Sequence, residues 1–179
     1  MVLAMVMERV GIFKFGGNDA PVVGPDIQVG QSAPEFSAET QDWTAFEGLK
    51  ATQGKVRIIG SLPSLSTSVC DRETRRFNQE ASGLGNDIVI LTVSMDLPFT
   101  LKNWCAAAGV DHVITLSDHK NTDFGPKYGV LLRDQRIFRR AIFVVDRNDK
   151  VVYAAYMPVL GDEPDYPKVL EAARRAVNG

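Results

Sequence analysis

Residues 56–70 read VRIIGSLPSLSTSVC and place a cysteine where a strand pattern gives way to a helix pattern. The apolar run at 56–59 predicts a strand, and the pattern that follows predicts a helix over 68–82. Thr67 is a favoured N-cap residue, so Cys70 takes the third helical position. Free N–H groups and the positive end of the helix dipole favour an ionised sulfur there. Cys70 is therefore a candidate reactive thiol.

Cys70 also fits a structural role in the core. It shares helical spacing with Thr74, Phe77 and Ala81, which would place the sulfur on the core-facing side of the helix. Free cysteine is among the residue types most often buried. The helix pattern alone leaves both interpretations open.

Strand and helix patterns alternate after this helix. The sequence predicts a strand at 88–94, a helix at 98–108, a short helix at 122–128, strands at 141–146 and 150–156, and a last helix at 165–177. The second helix has Asp96 as its candidate N-cap. This order predicts an α/β sandwich with a mixed sheet, parallel where helices cross over and antiparallel at 141–156.

The region before the first long strand predicts less regular structure. A strand at 8–15, turn residues at 16–19 and an apolar edge at Val22 and Val23 predict a hairpin. Residues 28–36 are mostly turn formers, and 43–54 predicts an irregular connection.

Composition limits the classes of protein to which the chain can belong. A chain of 179 residues with 45% hydrophobic content is long enough for one domain with a sizeable core. Twenty Lys and Arg against 22 Asp and Glu give a net charge of −2, and the charges form no long block of one sign, so no nucleic-acid partner is expected. No apolar segment is long enough to predict a membrane span.

The two cysteines, Cys70 and Cys105, are too few for a disulfide scaffold and lack the paired spacing of a zinc site. A redox pair remains open. The first seven residues have neither the charge nor the length of a signal peptide, so we expect a cytoplasmic protein.

Several motifs together resemble one enzyme family. Pro63, Thr67 and Cys70 match the P-x-x-x-T-x-x-C motif of peroxiredoxins, and the run SMDLPF occurs at 94–99. The hairpin, a second cysteine on the next helix, and Arg140 just before a strand accompany them. The chain resembles the thiol peroxidase subfamily of atypical two-cysteine peroxiredoxins over nearly its whole length. The absence of a C-x-x-C pair argues against an ordinary thioredoxin.

The resemblance implies a thioredoxin-like fold with a mixed central sheet flanked by helices and an N-terminal β-hairpin. It divides the chain into a hairpin extension at 1–24 and a peroxiredoxin domain at 25–179. The expected assembly is a homodimer, and this expectation rests on the resemblance alone.

The resemblance also implies roles for individual residues. Cys70 would attack a peroxide and become a sulfenic acid, which Cys105 would resolve to a disulfide for thioredoxin to reduce. Thr67 would accept a hydrogen bond from the peroxide, Arg140 would donate to sulfur and oxygen, and Pro63 would shield the sulfur. Hydrogen peroxide and organic hydroperoxides would be reduced without metal, haem or flavin.

Each role has a simpler alternative. Thr67 would suit the position as an N-cap only, Pro63 as a turn residue only, and Cys105 as part of an apolar helix face. Of Arg139 and Arg140, one could be a plain surface charge. The alternative functions are a protein disulfide oxidoreductase and a non-enzymatic redox sensor with a thioredoxin-like fold.

Overall fold

The computed structural model describes residues 6–179 and confirms the α/β architecture. The strands are β1 (Glu8–Arg9), β2 (Lys14–Phe15), β3 (Asn18–Asp19), β4 (Val22–Val23), β5 (Ser37–Glu39), β6 (Ala45–Glu47), β7 (Val56–Ser61), β8 (Ile88–Ser94), β9 (Ile114–Ser117), β10 (Leu131–Leu132), β11 (Ile137–Phe138), β12 (Ala141–Val145) and β13 (Val151–Tyr156). The helices are α1 (Ser68–Ala81), α2 (Pro98–Ala108), α3 (Phe124–Lys127) and α4 (Tyr166–Asn178). Among these residues no helix has both the length and the apolar character needed to cross a membrane.

A seven-stranded mixed sheet forms the centre of the fold. Its strand order is β13-β12-β7-β8-β9-β5-β6. Strands β7, β8 and β9 are parallel because α1 and α2 provide the crossovers, whereas β12 is antiparallel to both β7 and β13. The predicted mixed sheet, with its antiparallel pair near the end of the chain, is confirmed.

The apolar run of β7 reflects burial on both faces of the sheet. Val56 and Ile58 pack with Phe77 of α1 and Val169 of α4, whereas Ile59 joins the cluster on the opposite face. Successive strand residues point to opposite faces, so a strand covered on both sides is mostly apolar. The charged exception, Arg57, is buried and donates hydrogen bonds to Thr52 and to backbone carbonyls. The chain leaves the C-terminal end of this central strand and enters α1 at Ser68, so Cys70 lies beside the C-terminal ends of the parallel strands.

Short strands occupy regions where the sequence predicted none. Strand β6 lies within the predicted irregular connection, and β5 and β9 were not predicted. Strands β5 and β6 have three residues each, and the single pair between β5 and β9 joins Glu39 to Ser117. Segments this short carry too little periodicity to be recognised without their partners.

The N-terminal hairpin exists, but its turn and strands differ from the expectation. Gly16 and Gly17 form the turn with positive φ angles of 57° and 84°, so the residues at 18–19 belong to β3 rather than to the turn. Gly11, with φ of 82°, interrupts the predicted strand at 8–15 and separates β1 from β2. Strand β4 pairs with β1 and also with β10, which ties the hairpin to the rest of the fold. Residues 1–5 of the predicted extension lie outside the described range, and its boundary at 24 stays a prediction.

Candidate active site

Cys70 lies in the first turn of α1, at the position that the sequence indicates. Thr67 is the N-cap with φ of −89° and ψ of 147°, and its Oγ1 accepts a hydrogen bond from the Cys70 backbone N at 3.4 Å. The amides of the first helical turn have no partner within the helix and therefore point their N–H groups toward this end. The Cys70 side chain is fully buried, which keeps bulk water away from the sulfur.

Asp96 anchors the loop that carries Cys70. Its Oδ1 accepts from Ser64 Oγ at 2.6 Å, and its Oδ2 accepts from the Leu65 backbone N at 2.8 Å and from Ser94 Oγ at 2.9 Å. The prediction of Asp96 as N-cap of α2 is wrong, because Leu97 takes that position without a side-chain cap. Three donors from the neighbouring loop and strand engage the carboxylate instead. The carboxylate therefore holds the loop in place.

Arg140 contacts the Cys70 sulfur directly. Its Nη2 lies 3.2 Å from Cys70 Sγ and also donates to the Leu160 carbonyl at 3.3 Å. Its Nη1 forms an ion pair with Glu73, and the Arg140 side chain is 1% exposed. A guanidinium is charged at every physiological pH. Its terminal nitrogens lie in one plane, so Nη2 contacts the Cys70 sulfur while Nη1 contacts the Glu73 carboxylate. The Cys70 sulfur therefore has a fixed cationic donor beside it.

Arg139 is directed to a different part of the molecule. Its Nε and Nη2 donate to the Gly129 carbonyl at 3.0 and 2.8 Å, and it forms an ion pair with Asp26. Its guanidinium lies 4.1 Å from the centroid of the Tyr156 ring. Both arginines are buried, so the alternative that one of them is a plain surface charge is wrong. Of the two, Arg140 reaches Cys70.

Glu73 is part of the site although sequence reasoning missed it. It lies three residues after Cys70, one helical turn along the same face of α1, and its side chain is 2% exposed. Burial raises its pKa from 4.5 to about 7, and the charge of Arg140 opposes that rise. The sequence did contain a signal for Glu73. Its spacing places it on the same helix face as Cys70, and a carboxylate on a buried face indicates a cationic partner nearby.

Thr67 and Pro63 lie on the loop beside Cys70. Thr67 is exposed, and its hydroxyl donates to the Ser64 carbonyl at 3.0 Å while accepting from the Cys70 amide. A hydroxyl has two lone pairs, so Thr67 keeps one acceptor position free for a substrate. Pro63 is buried and brings no N–H group to this loop.

Cys105 stands apart from these residues. It is 6% exposed in α2, and its Sγ lies 3.4 Å from Thr115 Oγ1 on β9. Burial raises the pKa of the Cys105 thiol, against the lowering effect of its hydrogen bonds. Both cysteines are free thiols. The structure thus places Cys70, Thr67 and Arg140 together and leaves Cys105 with a partner of its own.

The residues that surround Cys70 can support nucleophilic chemistry at sulfur. They provide a buried sulfur, a permanent positive charge beside it, and an exposed hydroxyl acceptor at the rim. Over residues 6–179, His, Cys, Asp and Glu side chains form no group of three or more that could hold a metal ion.

Comparison with known proteins identifies related chains. The sequence profile of the Redoxin family matches residues 28–170. A thiol peroxidase from Oceanobacillus iheyensis is 48% identical over 156 residues, covering 87% of this chain and 94% of that protein. A thiol peroxidase from Bacillus subtilis is 44% identical over 163 residues, covering 91% and 96%. The crystal structure of a peroxiredoxin-like protein from Aquifex aeolicus superposes with a TM-score of 0.84 at 32% identity, covering 93% of this chain and 98% of that one.

Proposed function

Because this chain belongs to the Redoxin family and is a thiol-dependent peroxidase of the peroxiredoxin type, we propose that Cys70 is the thiol that attacks peroxide. The observation that carries this assignment is the contact of 3.2 Å between Arg140 Nη2 and Cys70 Sγ. Cys105, by comparison, is bonded to a neutral hydroxyl. A thiolate is the nucleophilic form of cysteine.

The proposed reaction oxidises the sulfur by two electrons and reduces the peroxide. The Cys70 thiolate forms a bond to one peroxide oxygen while the O–O bond breaks. The other oxygen leaves, takes a proton and departs as water or an alcohol. Cys70 remains as a sulfenic acid. The substrates are hydrogen peroxide and organic hydroperoxides.

Ionisation of the sulfur supplies only part of the acceleration. An ordinary cysteine is a few per cent thiolate at pH 7, so complete ionisation gains at most ~30-fold in rate. The remainder comes from groups that stabilise negative charge as the O–O bond breaks. Arg140 and the first-turn amides of α1 are the donors near the sulfur. Thr67 accepts the peroxide O–H, and Pro63 restricts the loop and screens the thiolate from water.

Cys105 is the proposed resolving residue. Its thiol attacks the sulfenic sulfur of Cys70, a disulfide forms and water leaves. Thioredoxin then reduces the disulfide by thiol exchange. Both thiols are buried with different partners, so one of the two helices must open for the sulfurs to meet. A homodimer and a cytoplasmic location stay predictions.

Peroxide consumption in the presence of thioredoxin and its reductase tests the proposal. We expect turnover by the wild type, none by Cys70→Ser, and a single turnover by Cys105→Ser. Turnover by Cys70→Ser would refute the assignment. Reduction of insulin disulfides without consumption of peroxide would instead indicate a protein disulfide oxidoreductase.

A further inference from the structure

A hydrogen bond joins the residues that flank the two cysteines. Trp104 Nε1 donates to Asp71 Oδ1 at 3.0 Å. Asp71 directly follows Cys70 in α1, and Trp104 directly precedes Cys105 in α2. The Trp104 ring also packs against the apolar cluster that contains Cys70. The two cysteine-bearing turns are therefore tied through their immediate neighbours.

Arg75 adds a second connection between the same helices. Its Nε donates to Asp71 Oδ2 at 2.9 Å, and its Nη1 donates to the Ala108 carbonyl at 3.2 Å. Its guanidinium lies 5.6 Å from the centroid of the Trp104 ring. We call Asp71, Arg75 and Trp104 the interhelix clasp.

The interhelix clasp holds the end of α2 that contains Cys105. The Cys105 carbonyl accepts from the Gly109 amide at the C-cap and from the Val110 amide at 3.2 Å, so Cys105 begins the last turn of the helix. Terminal turns fray more readily than helix interiors. Trp104 holds this turn on one side of Cys105, and the Arg75 bond to Ala108 holds it on the other.

The last turn of α2 is the segment whose opening would free Cys105 to reach Cys70. In a disulfide the two sulfurs are bonded at about 2 Å, so the bond cannot form while Cys70 Sγ stays on Arg140 and Cys105 Sγ stays on Thr115 of β9. Unwinding the last turn of α2 would release Cys105 from Thr115. Ala108 lies in this turn and Trp104 adjoins it, so the movement breaks the Arg75 bond to Ala108 and pulls on the Trp104 bond to Asp71.

We propose that the interhelix clasp controls how fast the Cys70 sulfenic acid is resolved; this rests on the proposed roles of Cys70 and Cys105. The sulfenic acid has two fates. It condenses with the Cys105 thiol to a disulfide and water, or it reacts with a second peroxide to a sulfinic acid and water or an alcohol. A closed clasp delays the first reaction and leaves more time for the second. Asp71, Arg75 and Trp104 are positioning residues, since none of them touches the reacting atoms.

The test compares Trp104→Phe and Arg75→Gln with the wild type by quenched-flow mass spectrometry after addition of hydrogen peroxide. Trp104→Phe keeps an aromatic ring but removes the N–H donor. Arg75→Gln changes a side chain that is 50% exposed and remains informative if Trp104→Phe folds poorly. Trp43→Phe is the matched control, because Trp43 packs on Phe99 outside the clasp.

We expect the disulfide to form about tenfold faster in Trp104→Phe, as loss of a hydrogen bond to a charged group implies, and to form faster in Arg75→Gln as well. The sulfinic acid yield at high peroxide should fall in both, while formation of the sulfenic acid keeps its wild-type rate. If Cys70 is oxidised in both variants but the disulfide forms at the wild-type rate or more slowly, the proposed role of the interhelix clasp is wrong and the proposed function stands. Absence of Cys70 oxidation in the wild type would overturn the proposed function with it.

Fluorescence gives a second readout of the same opening. In Trp43→Phe, Trp104 is the remaining one of the two tryptophans. Its emission should shift to longer wavelength as the disulfide forms, because the half-buried ring leaves its apolar cluster. Unchanged emission on complete oxidation would also overturn the proposal.

Discussion

Replacing Glu73 by Gln should change how the stability of the reduced protein depends on pH. Glu73 is buried against Arg140, and burial raises its pKa from 4.5 to about 7. The folded protein therefore holds this proton more tightly than the unfolded chain does. Between pH 4.5 and 7 the folded state binds more protons, so its stability falls as the pH rises through that window. Gln keeps the shape of the side chain but does not titrate.

The size of the effect follows from the shift. One pKa unit corresponds to about 1.4 kcal/mol, so Glu73 should reduce the free energy of unfolding by roughly 2–3 kcal/mol between pH 5 and pH 8. Asp118, whose pKa burial raises to about 6, titrates in the same range. It does so in both proteins and therefore cancels from the difference between wild type and Glu73→Gln.

Urea denaturation at pH 5 and pH 8, with the thiols kept reduced, measures this difference. The wild type should lose about 2–3 kcal/mol more than Glu73→Gln on going to pH 8. Parallel losses in the two proteins would refute the reasoning and mean that Arg140 keeps Glu73 ionised throughout the range.

Three further predictions concern the groups around the sulfur. Arg140→Ala should slow the oxidation of Cys70 by about 100-fold in stopped-flow measurements, because a charge-assisted donor is lost from the transition state, while Arg133→Ala at an exposed ion pair should not. Thr67→Val should lower the free energy of unfolding by about 1 kcal/mol and slow the oxidation of Cys70, whereas Thr67→Ser should keep the wild-type stability and oxidation rate. Equal behaviour of the two variants would contradict the role of the hydroxyl. Cys105→Ser should consume about one equivalent of peroxide, accumulate sulfenic or sulfinic acid and lose thioredoxin-dependent turnover; full turnover would return Cys105 to a structural role.

Local rules were sufficient to predict the turn that carries Cys70. An N-cap, a first-turn position and the preceding apolar strand depend on residues that are neighbours in sequence, and β7, α1, β8 and α2 are long enough to show periodicity. The same rules failed for Asp96, because its partners Ser64 and Leu65 lie 32 and 31 residues away and displaced the expected cap.

Contacts across the sheet were beyond such rules. Cys70 and Arg140 are separated by 70 residues, and resemblance to a family, rather than spacing, singled out Arg140. The role of Glu73 depends on its ion pair with Arg140, which lies 67 residues away just before β12, so the helix pattern alone did not reveal it. The link between Asp71 and Trp104 likewise depends on how two helices cross, which no single helix pattern contains.

Mass spectrometry of the protein after one equivalent of hydrogen peroxide tests the central assignment most directly. In the wild type we expect a peptide pair joined by a Cys70–Cys105 disulfide. In Cys105→Ser, trapping with a sulfenic-acid reagent should label Cys70. A Cys70 that stays reduced while peroxide is consumed, or oxidation that begins at Cys105, would contradict the assignment of Cys70 as the attacking thiol.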